Sequence, residues 1–174
     1  MEELEMGWTT RTTTGLTNIH EREVRACPAE VWEAMSTLSS PQDRVWPRDR
    51  WPRLRLSDGL RPGSDGGHGP IRYGVTRVEE GSALTFALDP AGGVSGWHGF
   101  TLAPTDAGTR VTHTLAIESP SATVITVVVP LHDALLEDLL DQLAAAVEHR
   151  ELTRSPQSLG VRARRALVRV SARR

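Results

Sequence analysis

The sequence predicts an α+β fold in which a curved antiparallel sheet wraps a long C-terminal helix, and three observations carry that expectation. Between residues 54 and 117, short segments alternate apolar with polar side chains and are separated by turn residues. After them, Leu131, Leu135, Leu136, Leu139, Leu140, Leu143 and Val147 fall on one broad helical face, with Asp133, Glu137, Asp141 and Glu148 opposite. The chain has 174 residues and a single cysteine, Cys27, so one core is affordable and an internal disulfide is not.

Each element follows from local pattern. Residues 1–17 are polar and aperiodic, which predicts a disordered lead-in to a domain spanning 18–150. A strand is expected over Ile19 to Ala26. Pro28 suits a first helical position ahead of Val31, Trp32, Met35 and Leu38 at helical spacing, and a second short helical turn is expected from Pro41 to Trp46, stopped by Pro47. Leu54 and Leu56 mark a strand. Gly59 to Gly69 reads as a flexible loop, because its glycines lack the spacing of a dinucleotide or phosphate loop. The remaining strands carry Ile71, Tyr73 and Val75; Leu84, Phe86 and Leu88; His98, Phe100 and Leu102; and Val111, His113, Leu115 and Ile117. Thr123 to Val129 is β-branched and pulls toward a strand, while its position pulls toward a helix.

Charge narrows the chemistry. All 20 basic residues are arginines, which excludes every reaction that needs a lysine amine, including Schiff-base formation and a phosphate-loop lysine. The net charge of −2 conceals a division: residues 150–174 hold eight arginines and one acid, whereas the preceding body holds twelve arginines and 21 acids. No nucleic-acid partner is expected for the acidic body. The tail, residues 151–174, is expected to be disordered or to form a short amphipathic helix through Arg162, Arg165, Arg169 and Arg173, with weak contact to a membrane surface as its possible use. The acidic start (Met1, Glu2, Glu3, Leu4, Glu5) and the lack of an apolar run near 18 residues predict a cytoplasmic protein.

Three histidines occupy faces where apolar residues belong. If Pro104 to Gly108 closes a hairpin, Phe100 faces Val111, Leu102 faces Thr109 and His98 faces His113, all on the inner side. Helical projection puts His132 amid the leucines, pointing at the sheet.

The segments Val24 to Trp32 (VRACPAEVW), Gly69 to Val75 (GPIRYGV), His98 to Leu102 (HGFTL), Thr109 to Leu115 (TRVTHTL) and Leu131 to Leu140 (LHDALLEDLL) together resemble the START-like, helix-grip superfamily, also called SRPBCC. Its members include polyketide cyclases and dehydratases, lipid-transfer domains and the birch-pollen-allergen type. The resemblance covers about residues 18–150. It implies a helix-grip fold around an interior cavity that takes a small hydrophobic molecule, lipid or polyketide-like, without a cofactor.

In that cavity His98, His113 and His132 are the candidate catalytic groups, and Trp46, Trp51, Tyr73, Phe86, Phe100, Leu115 and Leu136 the candidate ligand-binding ones. Three readings of the histidines stand side by side. They are neutral, hydrogen-bonded core residues; they are polar anchors or general acid–base groups of a cyclase or dehydratase; or they ligate zinc, which no short-range ligand spacing supports. No metal is therefore expected. A non-catalytic carrier or sensor would use the same histidines to orient its ligand.

Overall fold

The computed structural model of the protein describes residues 4–171. Nine antiparallel strands make one curved sheet: β1 (Leu4–Met6), β2 (Thr9–Arg11), β3 (Gly15–Val24), β4 (Arg55–Leu56), β5 (Asp65–His68), β6 (Ile71–Glu79), β7 (Ala83–Leu88), β8 (Ser95–Thr105) and β9 (Gly108–Glu118). Their spatial order is β1-β2-β3-β9-β8-β7-β6-β5-β4. Helix α1 (Pro28–Met35) follows β3, α2 (Val129–Val147) lies against β3, and α3 (Leu159–Ser171) packs on α2. The α+β architecture is the expected one.

Alternation fixes the inner face. Along β9, Thr109, Val111, His113, Leu115 and Ile117 are buried while Arg110 and Glu118 are exposed. From the other side α2 contributes Leu135, Leu136, Leu139, Leu140 and Leu143 to the same core. Trp97 is 44% exposed on the outer face of β8, as strand alternation from His98 predicts. Cys27 is not the small buried hydrophobe its type suggests; it is exposed at the N-cap of α1, where its N–H donates to Glu30 Oε2 at 2.8 Å.

The structure corrects four local expectations. Residues 4–17 are not a disordered lead-in: β1 pairs with β2, and β2 with β3 through Thr9↔Asn18, Thr10↔Thr17 and Arg11↔Leu16. Threonines there favour pleated backbone, and Thr12 Oγ1 closes the turn by accepting from Gly15 N at 3.1 Å. Residues 1–3 lie outside the described residues. The expected second helix over Pro41–Trp46 is a run of turns, because Asp43 takes the backbone donors a helix would use: Ser39 N (2.9 Å), Val45 N (3.0 Å) and Trp46 N (2.9 Å).

The glycine-rich segment is a strand in part. A Cβ at Gly66 would stand 1.9 Å from the Arg55 carbonyl oxygen, so β5 approaches β4 only because no side chain is there. The β8–β9 register also differs. Phe100 faces His113 and His98 faces Leu115, because the hairpin turns at Asp106–Ala107 and draws Pro104 into the ladder opposite Thr109. This moves each partner by two positions, so every side chain keeps its face.

The contested segment before α2 is helical. The chain is wound from 122 onward, with a π-helical turn at Val124–Val128 in which Val129 N–H reaches the Val124 carbonyl five residues back. Pro130 is the cause: it has no N–H to offer the Thr126 carbonyl, which accepts instead from Arg164 Nε in α3 at 2.7 Å. Within the tail, α3 occupies Leu159–Ser171. Arg173 and the side chain of Arg169 lie outside the described residues.

Candidate functional site: an apolar cavity with neutral histidines

The gap between α2 and the inner sheet face is a cavity of about 190 Å³. Its wall includes His98, His113 and His132, together with Trp46, Trp51, Tyr73, Phe86, Phe100, Leu115 and Leu136. The ten residues singled out from the sequence therefore meet in one place. The floor is sheet: Phe86 sits opposite His98 in the β7–β8 pair, and Phe100 opposite His113 in the β8–β9 pair. The roof is α2, which supplies His132 and Leu136. Trp46 and Trp51 come from the turns after α1, each fixed by its indole N–H: Trp46 Nε1 donates to Pro52 O at 2.9 Å and Trp51 Nε1 to Asp138 Oδ2 at 2.8 Å.

Ring contacts link the polar members. His98 stacks on Phe86 at 4.8 Å between centroids and meets the edge of Tyr73 at 4.6 Å. His98 Nδ1 lies 3.3 Å from His113 Nε2, so one donates to the other. His113 is 5.1 Å from His132 by centroid. The outward nitrogens of this set, His98 Nε2, His113 Nδ1 and both nitrogens of His132, are buried without a protein partner.

Two further histidines join the site and were not singled out from the sequence. His68, at the end of β5, lies 5.0 Å from Trp46 and 5.8 Å from Tyr73, in the cavity wall. It was hidden inside the glycine-rich run read as a loop. His20 in β3 is fully buried beside His113 in the β3–β9 register and stacks on Trp8 at 4.6 Å. The available signal was the alternation Leu16, Asn18, His20 leading into Val24, but the more apolar Ile19 sits between them and is 43% exposed.

The environments split the histidines into two electrostatic kinds. Burial pushes His68 down to about 4 and His98 down to about 3, the latter helped by repulsion from His68. Burial, followed by repulsion from neighbouring histidines, holds His113 and His132 well below the ordinary imidazole value. These four are neutral at pH 7, each offering one donor and one acceptor nitrogen. For His20, burial opposes the charge, yet hydrogen bonds to Asp133 Oδ1 (3.1 Å) and Glu137 Oε1 (2.9 Å) outweigh it and raise the pKa. Glu137 is lowered in turn, first by His20 and also by Arg22.

The mouth is roofed by the basic tail. Arg165 and Val168 of α3 belong to the cavity lining, and the Arg165 guanidinium lies 4.7 Å from the centroid of the Trp51 ring. Arg165 also bonds the Arg50 carbonyl and the Gln157 side chain. Asp138, buried in α2, accepts from Arg50, Trp51 and Gln157, which ties mouth, roof and tail to one carboxylate. No described helix is long and apolar enough to cross a membrane.

The pH dependence of stability follows from the neutral histidines. Unfolded imidazole takes a proton near pH 6.5, whereas folded His68 and His98 take it only near 4 and 3. Their contribution is complete above the unfolded value and is lost as pH falls below it. Each costs about 1.4 kcal/mol per pH unit in that window. His20, with its raised pKa, works in the opposite sense: its ion pairs contribute below the unfolded value and fade as pH rises through the folded one. Urea unfolding at pH 7, 6 and 5 is expected to show a steep acid loss, and His68→Phe and His98→Phe should each flatten it by about one proton. An unchanged slope in both variants would contradict this account.

Comparison with known proteins agrees with the architecture. A family described as "Polyketide cyclase / dehydrase and lipid transport" matches residues 18–148. No curated protein matches. Among solved structures, CalU16 from Micromonospora echinospora is 17% identical with a TM-score of 0.56, covering 98% of this chain and 92% of its own. A Thermobifida fusca protein solved in solution is 21% identical with a TM-score of 0.58, over 81% of this chain and 99% of its own. A Nitrosospira multiformis protein is 17% identical, also at 0.58, over 75% and 95%. At these identities the structures share the fold. The match over most of the helix-grip domain, joined to a long helix closing a curved sheet over an apolar cavity, makes this chain a member of the polyketide cyclase/dehydrase and lipid-transport family of the SRPBCC superfamily.

Proposed function

We propose that the protein binds one small hydrophobic molecule, lipid or polyketide-like, that carries hydrogen-bonding oxygens, in the cavity between α2 and the sheet. The observation that carries this reading is the set of partnerless ring nitrogens of His98, His113 and His132 in an otherwise apolar wall. A buried polar atom left unpaired costs about 1–3 kcal/mol, and an oxygen on the bound molecule removes that cost. A fully apolar ligand would leave it in place. The aromatic rings of Trp46, Tyr73, Phe86 and Phe100 favour a flat or cyclic body, and a volume near 190 Å³ suits a compact one.

The neutral state of the imidazoles matters for the same reason. A neutral ring donates at one nitrogen and accepts at the other, so it serves a hydroxyl or a carbonyl without placing a charge in the cavity. In a cyclase or dehydratase the same groups would exchange a proton with that oxygen. The hydrogen-bonded His98–His113 pair favours this second reading, since a proton accepted at one ring can be relayed to the other. In that case His98→Phe lowers kcat with KM little changed; in a carrier it weakens binding alone.

Occupancy is the direct test. Native mass spectrometry of protein from its own host is expected to show one bound molecule, and Leu136→Trp, which fills the cavity from its roof, should abolish it while the fold by circular dichroism persists. Full occupancy in that variant would place the ligand elsewhere. The tail supplies a kinetic test, because Arg165 bridges α3 to Trp51 and the Arg50 carbonyl at the mouth. Arg165→Ala should release the ligand faster in stopped-flow dilution, by roughly tenfold for a loss of about 1.4 kcal/mol. An identical release rate would assign α3 no part in gating.

A further inference from the structure

Beside the cavity stands a cluster with the composition of a metal centre. His20, His132 and Asp133 each present one ligand atom, and these atoms all lie within 4.8 Å of one another. We propose that His20, His132 and Asp133 bind one divalent first-row transition metal ion, zinc being the probe of choice, at the inner edge of the cavity. This goes beyond ligand binding and does not depend on which molecule the cavity takes.

Three observations support it. The first is the donor set. Two imidazoles and one carboxylate are a familiar arrangement for zinc or iron, three protein ligands leaving a coordination position open. The second is His132, whose two ring nitrogens are both buried and without a protein partner. A neutral imidazole so placed costs free energy unless something accepts or donates to it, and a metal ion is one such partner.

The third is the outer layer of contacts, which already has the form that metal sites use to orient ligands. His20 Nδ1 is held by Glu137 Oε1 at 2.9 Å, which directs Nε2 toward Asp133 Oδ1 at 3.1 Å. A carboxylate on the far nitrogen of a ligating histidine fixes the ring and raises its basicity. Asp133 is steadied by Asn18 Nδ2 at 2.8 Å, and Asn18 is itself fully buried. Arg22 holds the other oxygen of Glu137 at 2.9 Å. The ion would take the place of the proton that His20 otherwise shares with Asp133, so binding releases a proton.

The geometry also states what the ion could do. His132 is in the cavity wall and His20 and Asp133 are not among its lining residues, so an ion held by all three would sit at the edge of the space that takes the bound molecule. An ion there would polarise an oxygen of that molecule as a Lewis acid. The ring of His113, 5.1 Å from His132 and with Nδ1 unpartnered, borders the same space.

The experiment is a zinc titration of untagged, chelator-treated full-length protein by isothermal titration calorimetry, with cobalt(II) absorption as a second readout. One saturable equivalent is expected, with a cobalt spectrum of nitrogen and oxygen ligation and a rise in Tm that magnesium does not produce. His132→Gln and Asp133→Asn should each weaken zinc by at least tenfold, and Glu137→Gln, acting through His20, by about 10- to 100-fold. His149→Asn, at an exposed histidine outside the cluster, should leave affinity unchanged. Circular dichroism of each metal-free variant separates lost binding from lost folding, and if the ligand variants unfold, the wild-type cobalt spectrum and stoichiometry decide alone. Absence of a one-equivalent site, or equal affinity in folded His132→Gln and Asp133→Asn, overturns the proposal. Because Leu136→Trp leaves these three residues intact, zinc binding in that variant separates failure here from failure of the cavity reading.

Discussion

The position of α2 over the sheet depends on a ladder of charge between that helix and β3. His20 bonds Asp133 and Glu137, Arg22 bonds Glu137 and Asp141, and the Arg25 backbone N–H donates to Glu148 at 2.9 Å. The rungs match because two residues of strand advance about 6.7 Å and four residues of helix about 6 Å. The leucine face alone would tolerate sliding, since apolar contact is non-directional. The ladder does not, because a slip of one helical turn in either direction would break a rung, setting Val129 where His20 meets a carboxylate or Ala145 where Arg22 does. Everything on α2 that enters the cavity, His132 and Leu136 above all, is set by this registration.

The same ladder separates two uses of one residue type. Outside the leucine stripe the carboxylates of Asp133 and Glu137 outweigh burial and raise the proton affinity of His20; inside it, His68, His98, His113 and His132 are neutral because desolvation dominates. The boundary is one residue wide, falling between His132 and Asp133 on adjacent positions of α2. With no lysine in the chain, these neutral imidazoles give the cavity uncharged groups that each donate and accept a hydrogen bond near neutral pH.

Much of this was legible from periodicity. The faces of β7, β8, β9 and α2 could be read because burial alternates with period 2 in one case and 3.6 in the other, so the cavity wall followed from the pattern of Phe86, Phe100, Leu115 and Leu136. What could not be read rests on contacts that leave no periodic trace. The pairing of β2 with β3 is fastened by Asn18 Nδ2 donating to Thr9 Oγ1 at 2.9 Å, and that of β5 relies on the absence of side chains at Gly66 and Gly67. His20 was missed because its meaning comes from Asp133 and Glu137, more than a hundred positions away. The tail's role depended likewise on one cation over one indole, Arg165 on Trp51.

The β8–β9 hairpin turns one position away from where its turn residues suggested, and the histidines still face inward. Antiparallel pairing moves partners in steps of two when the turn centre moves by one residue, so the inside or outside assignment of a side chain is a matter of parity. For this protein, sequence change in the Thr105–Gly108 tip can slide His98 along β9, from a place beside His113 to one beside Leu115, and alter how closely the two rings couple. It cannot by that route turn either ring out of the cavity. The hairpin tip is therefore a place where the spacing between two imidazoles can be tuned by lineage while their membership in the site is inherited intact.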